Sequence, residues 1–174
     1  MKFRKVKFSS ARFIFALTVL PLIGYLHALS NQCATFECQV KAALVVRIVT
    51  LVQGSGNINF CVSKKSPIRE LIQIGFNENQ NNLANTRLLI VEIPDKSCDL
   101  YFIDDAFTTQ EINQISEEGA LVISNGLDHV NFSVKITKDG KTFSLTVNPQ
   151  KLSKGRLRFD PSLLRLAKKL VGTD

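Results

Sequence analysis

The sequence lacks the patterns on which several metal, redox and hydrolase sites depend. No two cysteines have the CxxC spacing of zinc sites and thioredoxin-like proteins, and His129 is the only histidine beyond residue 30. No GxSxG motif marks a hydrolase nucleophile. We therefore predict no catalytic, metal or cofactor-binding residues, and we expect a protein that is not an enzyme.

The amino terminus combines a basic segment with a short apolar run. Five Lys and Arg residues precede the uncharged run 13–26, which is shorter than the roughly 20 residues that a membrane-spanning helix needs. Ala28 and Ser30 then have the small-x-small spacing of a cleavage site. We therefore expect a signal peptide over residues 1–30 and an exported domain over 31–174. An uncleaved amino-terminal anchor is the alternative.

The excess of positive charge belongs mainly to the predicted signal peptide. The whole chain has a net charge of +7, but residues 31–174 contain 17 basic and 15 acidic residues, a net charge of +2. Nucleic-acid-binding domains usually have a clustered excess of Lys and Arg. We therefore expect no nucleic-acid partner.

All four cysteines lie after the predicted cleavage site, and an even number in an exported chain favours disulfide bonds. Three pairings are compatible with four cysteines. Cys33 and Cys38 are close in sequence, whereas Cys61 and Cys98 lie in separate apolar segments. We favour Cys61–Cys98 with Cys33–Cys38, and whether the second pair forms stays open.

Three segments are predicted to be helices in the first two-thirds of the chain. The apolar segment 36–52 predicts a buried helix. Ser66 followed by Pro67 predicts a helix start with Ser66 as N-cap, and Gly75 is expected to close that helix. The segment 108–111 has the pattern of a capping box and predicts a helix to about Glu118.

The predicted strands alternate with these helices. They cover residues 58–62, 87–93, 99–103 and 120–124, and Asp139-Gly140 predicts a hairpin between 130–138 and 141–147. This order predicts an α/β fold: a single domain with a mainly parallel sheet flanked by helices and an added antiparallel hairpin. After Asp160-Pro161 we expect a final amphipathic helix, with its inward positions listed as Leu163, Leu164, Leu166, Ala167 and Leu170.

Two groups of charged residues are candidates for a site. Asp104 and Asp105 follow a predicted strand, where α/β proteins often bind ligands. They could bind a metal or act as a base, but we favour a solvated turn that leads to Thr108. Arg156 and Arg158 are not explained by the dipole of the last helix, so we predict that they bind a partner.

Several short motifs occur in a particular order along the chain. They are Lys41-Ala42-Ala43, Phe60-Cys61-Val62, the segment 98–103 (CDLYFI), the segment 121–124 (LVIS), Val130-Asn131-Phe132, Asn148, Leu157 and the segment 163–167 (LLRLA). Together they resemble the YfiR-like family of bacterial periplasmic proteins. The resemblance covers roughly residues 38–170. The family's F-x-x-W-P motif is absent, and 125–128 replaces its glycine pair.

The resemblance implies regulation and not catalysis. Family members bind the periplasmic sensor domain of an inner-membrane diguanylate cyclase and hold it inactive. An outer-membrane lipoprotein can sequester them, and redox state can change their folding. The resemblance also implies a Cys61–Cys98 bridge, whereas the family's second bridge has no counterpart here.

We therefore expect a periplasmic negative regulator of cyclic-di-GMP signalling that acts through protein–protein interaction. Its expected partners are the cyclase sensor domain and an outer-membrane lipoprotein, and no cofactor is expected. The alternative is a small-ligand-binding envelope module that acts with an outer-membrane receptor, with its ligand near Asp104. A homodimer is also left open.

Overall fold

The structure, a computed structural model, describes residue 33, residues 35–127 and residues 131–170. For Lys169 and Leu170 only the backbone is described. The predicted signal peptide over 1–30 lies outside the described residues, as do His129 and Val130, the first residue of the predicted hairpin.

A mainly parallel sheet forms the centre of the described chain. Its strands are β2 (Ile58–Ser63), β3 (Thr86–Val91), β4 (Leu100–Ile103), β5 (Leu121–Asn125), β6 (Val134–Asp139), β7 (Thr142–Val147) and β10 (Lys169–Leu170). They have the order β10-β7-β6-β5-β4-β2-β3. The pairs from β3 to β6 are parallel, and β7 runs antiparallel to β6. The predicted α/β fold class, including its hairpin, is confirmed.

A second, smaller sheet was not predicted. It consists of β1 (Val52–Gly54), β8 (Ser153–Lys154) and β9 (Leu157–Phe159), all antiparallel, in the order β1-β9-β8. The first helix therefore ends at Val49 and not at Val52, because the next residues extend to pair with β9. Strands of two or three residues are too short to produce a readable alternation of apolar and polar positions.

Helices cover both faces of the larger sheet. They are α1 (Phe36–Val49), α2 (Arg69–Glu78), α3 (Thr109–Glu118) and α4 (Ser162–Leu166), with short 3-10 turns at Gln80–Asn82 and Pro149–Lys151. Apolar side chains of α1 and α2 pack with Phe60, Val62 and Phe102 on one face. Those of α3 pack with Tyr101 and Val122 on the other face. Both faces must be covered because the central strands are apolar at successive positions.

The second helix differs from its prediction at both ends. It begins at Arg69, and Ser66 is not its N-cap, because the Ser66 hydroxyl is directed to Asp104 instead. Gly75 lies inside the helix and does not close it. A Cβ at Gly75 would lie 3.2 Å from Val46 Cγ2, so the missing side chain allows α1 and α2 to approach closely.

The predicted final amphipathic helix is wrong after Leu166. Leu163 is fully buried, but Leu164 and Leu166 are 37% and 52% exposed. The backbone becomes extended at Ala167, and Leu170 lies in β10, which pairs with the edge of β7. This pairing satisfies N–H and C=O groups at the open edge of β7, which would stay exposed to solvent if the chain continued as a helix. The first strand of the hairpin also begins later than predicted, at Val134.

The capping box at the start of α3 is confirmed. Thr108 Oγ1 accepts a hydrogen bond from the Glu111 N–H at 3.3 Å, and the Glu111 carboxylate accepts one from the Thr108 N–H at 2.7 Å. The hydrogen bond from the Thr108 backbone lowers the pKa of Glu111. Two otherwise unpaired N–H groups of the first turn are thereby satisfied.

The Thr108→Ala variant tests the energetic importance of this cap. Loss of the cap should reduce the free energy of unfolding by about 1 kcal/mol, measured by urea denaturation. Thr109→Ala is the matched control, because Thr109 is the next, exposed residue and does not cap the helix. Equal effects of the two substitutions would contradict the role assigned to Thr108.

Candidate functional site

The carboxyl ends of the adjacent strands β2 and β4 lie at the point in the sheet where successive strands are added on opposite sides. From β2 the chain crosses through α2 to β3 on one side, and β4 then lies on the other side of β2. The helices α2 and α3 that follow these two strands cover opposite faces. Ligands of open α/β sheets bind in the crevice at such a switch point. The residues that follow β2 and β4 are therefore the first candidates for a site.

Ser66 and Asp104 join the two loops at this switch point. The Ser66 hydroxyl donates a hydrogen bond to Asp104, with 2.5 Å between Oγ and Oδ2. The other carboxylate oxygen accepts a hydrogen bond from the Ala106 N–H at 3.1 Å. Ser66 and Asp104 are only 6% and 2% exposed. The carboxylate therefore holds the loop after β2 against the loop after β4.

The predicted solvated turn at Asp104-Asp105 is wrong for the first of these residues. Asp105 is exposed, but Asp104 is buried by the loop that carries Ser66. Sequence reasoning identified the end of β4 and missed Ser66, because Ser66-Pro67 also fits a helix start. The rule that polar residues at strand ends form sites, applied equally to β2, would have found it.

The environment of Asp104 favours its protonated form. Burial raises the pKa of Asp104 above its ordinary value, and the hydrogen bond from Ser66 opposes this shift. Ser124, at the end of the neighbouring strand β5, is also fully buried. Among the described residues, its hydroxyl is the one buried side-chain oxygen or nitrogen without a hydrogen-bond partner. Two buried polar side chains thus lie at the carboxyl ends of adjacent strands.

Both disulfide bridges favoured from the sequence are present in the structure. Cys61 of β2 is joined to Cys98, with 5.9 Å between their Cα atoms, and both lie in the core beneath α3. Cys33 is joined to Cys38 in the first turn of α1, with 5.8 Å between their Cα atoms. The first bridge connects a central strand to the segment that leads into β4, and the second holds the start of α1.

Arg156 connects three separate segments within the protein. Its guanidinium donates to the backbone carbonyls of Ser55 at 2.7 Å and Asn57 at 2.5 Å. It also forms an ion pair with Asp99 at 3.1 Å. The Asp99 carboxylate in turn accepts a hydrogen bond from the Asn59 N–H at 2.9 Å. Arg156 therefore has a structural role that could not be predicted without these long-range contacts.

Arg158 lies in a different environment from Arg156. It is exposed on β9, where its backbone pairs with Gln53 of β1. A shallow cavity of about 400 Å³ borders both arginines together with Gly54 and Ser55. Both arginines are exposed, but the Arg156 guanidinium is held by protein groups, whereas the Arg158 side chain has no such partner among the described residues.

A groove lies between α2 and the outermost strand β3. It has a volume of about 670 Å³, and its apolar part includes Ile74 and Ile90, which are 54% and 39% exposed. Lys64 forms an ion pair with Glu92 at 2.6 Å at the rim of the groove. The remaining residues that line the groove are polar or charged.

The structure adds two observations about metals and membranes. Within residues 33, 35–127 and 131–170, no three His, Cys, Asp or Glu side chains are grouped as a metal site would require. In the same ranges, no helix is both long and apolar enough to cross a membrane.

Residues 38–168 match the YfiR/HmsC-like family, and the chain therefore belongs to that family. Its members are regulatory proteins of the periplasm, and the two disulfides of the structure are consistent with export. Three of the motifs that carry the resemblance lie in or lead into the central strands β2, β4 and β5. No curated protein sequence is significantly similar to the chain.

The Asp104→Asn variant tests the effect of burial on this carboxyl group. Since its pKa is raised on folding, Asp104 favours the folded state at low pH. That advantage is lost as the pH rises from its ordinary pKa of 3.8 through the raised value. Asn cannot ionise, so the stability of the variant relative to the wild type should be greater at pH 7 than at pH 4.

Urea unfolding at the two pH values measures this difference. Asp105→Asn is the control, because Asp105 is the neighbouring carboxyl residue and is exposed. A relative stability of Asp104→Asn that is the same at pH 4 and pH 7 would contradict a raised pKa.

The two disulfides should contribute unequally to stability. Cys61 and Cys98 are separated by 37 positions in sequence, and Cys33 and Cys38 by 5. Chain-entropy estimates give about 4 kcal/mol for the longer loop and about 2 kcal/mol for the shorter one. Replacing both residues of the first pair with Ser should therefore lower the melting temperature more than replacing both residues of the second. An equal or reversed order in calorimetry would contradict this expectation.

Proposed function

We propose that this protein is exported, that cleavage after Ser30 leaves a domain over residues 31–174, and that the domain acts in the periplasm as a negative regulator. The observation that carries this proposal is the family match over residues 38–168. The two disulfide bridges support it, because such bridges persist in the bacterial periplasm and are rare in the cytosol.

The regulated partner in this proposal is the periplasmic sensor domain of an inner-membrane diguanylate cyclase. Binding holds the cyclase inactive and lowers cyclic-di-GMP output. An outer-membrane lipoprotein is the second partner, which releases the cyclase by sequestering the regulator. Both assignments rest on membership of the family.

The small sheet is the surface that we assign to the cyclase. Lys154, Arg156 and Arg158 give β8, β9 and the turn between them a positive charge. Arg156 is held by Asp99 and by two carbonyl groups, so it shapes the surface and contributes less to binding. Arg158 is also exposed and is not held by protein groups, so it is the better placed of the two for an acidic side chain on the partner.

A second candidate function is the binding of a small ligand in the envelope, in concert with an outer-membrane receptor. The observation that favours it is the pair of buried polar side chains, Asp104 and Ser124, at the carboxyl ends of β4 and β5. A ligand with a hydrogen-bond donor and an acceptor would suit these groups. The two functions differ in what deletion of the gene should do to cyclic-di-GMP.

Deletion of the gene should raise cyclic-di-GMP and biofilm formation, and expression of the wild-type protein should reverse both. Arg158→Glu should fail to reverse them and should weaken binding to the purified sensor domain about tenfold, because it places like charges together. Lys141→Glu is the matched control, since Lys141 is an exposed cation in the β6–β7 turn. Mass spectrometry of the nucleotide and titration calorimetry provide the two measurements.

Unchanged cyclic-di-GMP after deletion, with the protein detected in the parent strain, would exclude the cyclase partner and favour the ligand-binding function. Normal complementation by Arg158→Glu together with raised cyclic-di-GMP in the deletion strain would retain the regulator and reject this surface.

A further inference from the structure

The positive charge of residues 31–174 is concentrated in one short part of the chain. Residues 151–170, which we call the cationic segment, contain seven Lys and Arg residues and one acidic residue, a net charge of +6. Residues 31–150 contain 10 basic and 13 acidic residues, a net charge of −3. An asymmetry of this kind indicates binding to a membrane or to nucleic acid. Because members of the family are periplasmic, the membrane is the relevant candidate.

Several cations of this segment are exposed and are not neutralised by the protein. Lys151, Lys154 and Arg158 are exposed, and none of them forms an ion pair with a described residue. Lys168 lies 3.9 Å from Asp139, but both side chains are exposed, so this pair contributes little and leaves the cation accessible. The segment can therefore attract an external anion.

The helix α4 places two leucines among these cations. Leu163 is fully buried and fixes the helix to the core, whereas Leu164 and Leu166 are 37% and 52% exposed. Successive residues of a helix are about 100° apart around its axis, so the two leucines flank the exposed Arg165 on the outward side. Proteins that lie in the interface of a membrane combine apolar side chains with cations in this way.

We propose that the cationic segment binds the surface of a phospholipid membrane that contains anionic headgroups. Arg165 contacts the headgroup phosphates, and Leu164 and Leu166 enter the boundary between the headgroups and the acyl chains. The other cations of the segment add attraction that falls off within a Debye length of the surface. Since residues 31–150 have a net negative charge, the same surface potential orients the domain with the segment towards the membrane.

The arrangement of these side chains favours a membrane over an acidic protein. The cations lie on several elements, including β8, β9 and α4, and a bilayer presents a diffuse charge that requires no fixed spacing. The apolar anchors of protein interfaces typically fill pockets. Leu164 and Leu166 instead project from a short helix and line neither of the cavities described above.

Flotation with lipid vesicles tests the proposal, with the protein purified after export with its native leader. At low salt the wild type should bind vesicles made of equal parts of phosphatidylglycerol and phosphatidylcholine. It should bind vesicles of phosphatidylcholine alone much more weakly. Salt at about 1 M, where the Debye length is about 3 Å, should release it from the anionic vesicles.

Removal of two positive charges tests the contribution of the segment. Arg165→Gln with Lys168→Gln should lower the partition coefficient for the anionic vesicles about thirtyfold, because each cation near the surface adds attraction. Lys65→Gln with Arg87→Gln is the matched control, since both are exposed cations outside the segment and the net charge changes equally. It should leave the partition coefficient unchanged. Circular dichroism and thermal melts establish that each variant is folded.

A second pair of variants tests the apolar contact. Leu166→Ala should lower the same partition coefficient about fivefold, because the shorter side chain buries less apolar surface in the bilayer. Ile74→Ala is the matched control, since Ile74 lies in α2 and has a similar exposure of 54%. It should have no effect on vesicle binding.

Three results would overturn the proposal. They are no binding of the wild type to the anionic vesicles at low salt, equal binding to both kinds of vesicle, and equal effects of the two double variants. If the vesicles are not bound and Arg165→Gln with Lys168→Gln instead weakens binding to the purified sensor domain, the segment belongs to that protein and not to a membrane. Vesicle binding requires no cyclase, so this proposal and the proposed function can fail separately.

Discussion

Burial of both faces of the central strands is the constraint on which the rest of the structure depends. Phe60, Cys61 and Val62 follow one another in β2, and each is completely buried although their side chains alternate between faces. A strand of this kind is stable only when both faces are covered. Two helices, α1 and α2, cover one face, and α3 covers the other together with the Cys61–Cys98 bridge. The alternation of helices between the faces creates the switch point at the ends of β2 and β4.

Elements with a strong local signal could be predicted from the sequence. Their structure follows from patterns that extend over only a few residues. Examples are the continuous apolar segments of β2, β4 and β5, the capping box at Thr108 and the Asp139-Gly140 turn. Elements that depend on distant partners could not. The amphipathic pattern after Leu163 suits a helix, but the open edge of β7 extends the chain into β10. The small sheet brings together segments from opposite ends of the described chain, a contact that no local pattern contains.

The same distinction applies to the candidate sites. Asp104 could be located from its position after a strand, whereas its burial depends on Ser66, which lies 38 residues earlier and had an equally good local role as a helix cap. From the sequence, Arg156 and Arg158 were both predicted to bind a partner, and nothing distinguished one from the other. Both are exposed in the structure, but Arg156 is bound by Ser55, Asn57 and Asp99, whereas Arg158 has no such side-chain partner among the described residues. Chemical type can thus be predicted from sequence, but the choice between an internal and an external role depends on tertiary contacts.

Asp99 follows directly after Cys98, so a single position in the chain adjoins both the Cys61–Cys98 bridge and the ion pair with Arg156. The Asp99 side chain binds both the Asn59 N–H and Arg156, and its backbone joins β2 to β5. Opening of the Cys61–Cys98 bridge would release the residue next to this anchor. The position of Arg156, and with it the turn between β8 and β9, would then be less restrained. The tie between the larger sheet and the turn of the small sheet therefore depends on Asp99, a residue whose neighbour in the chain is held by a covalent bond.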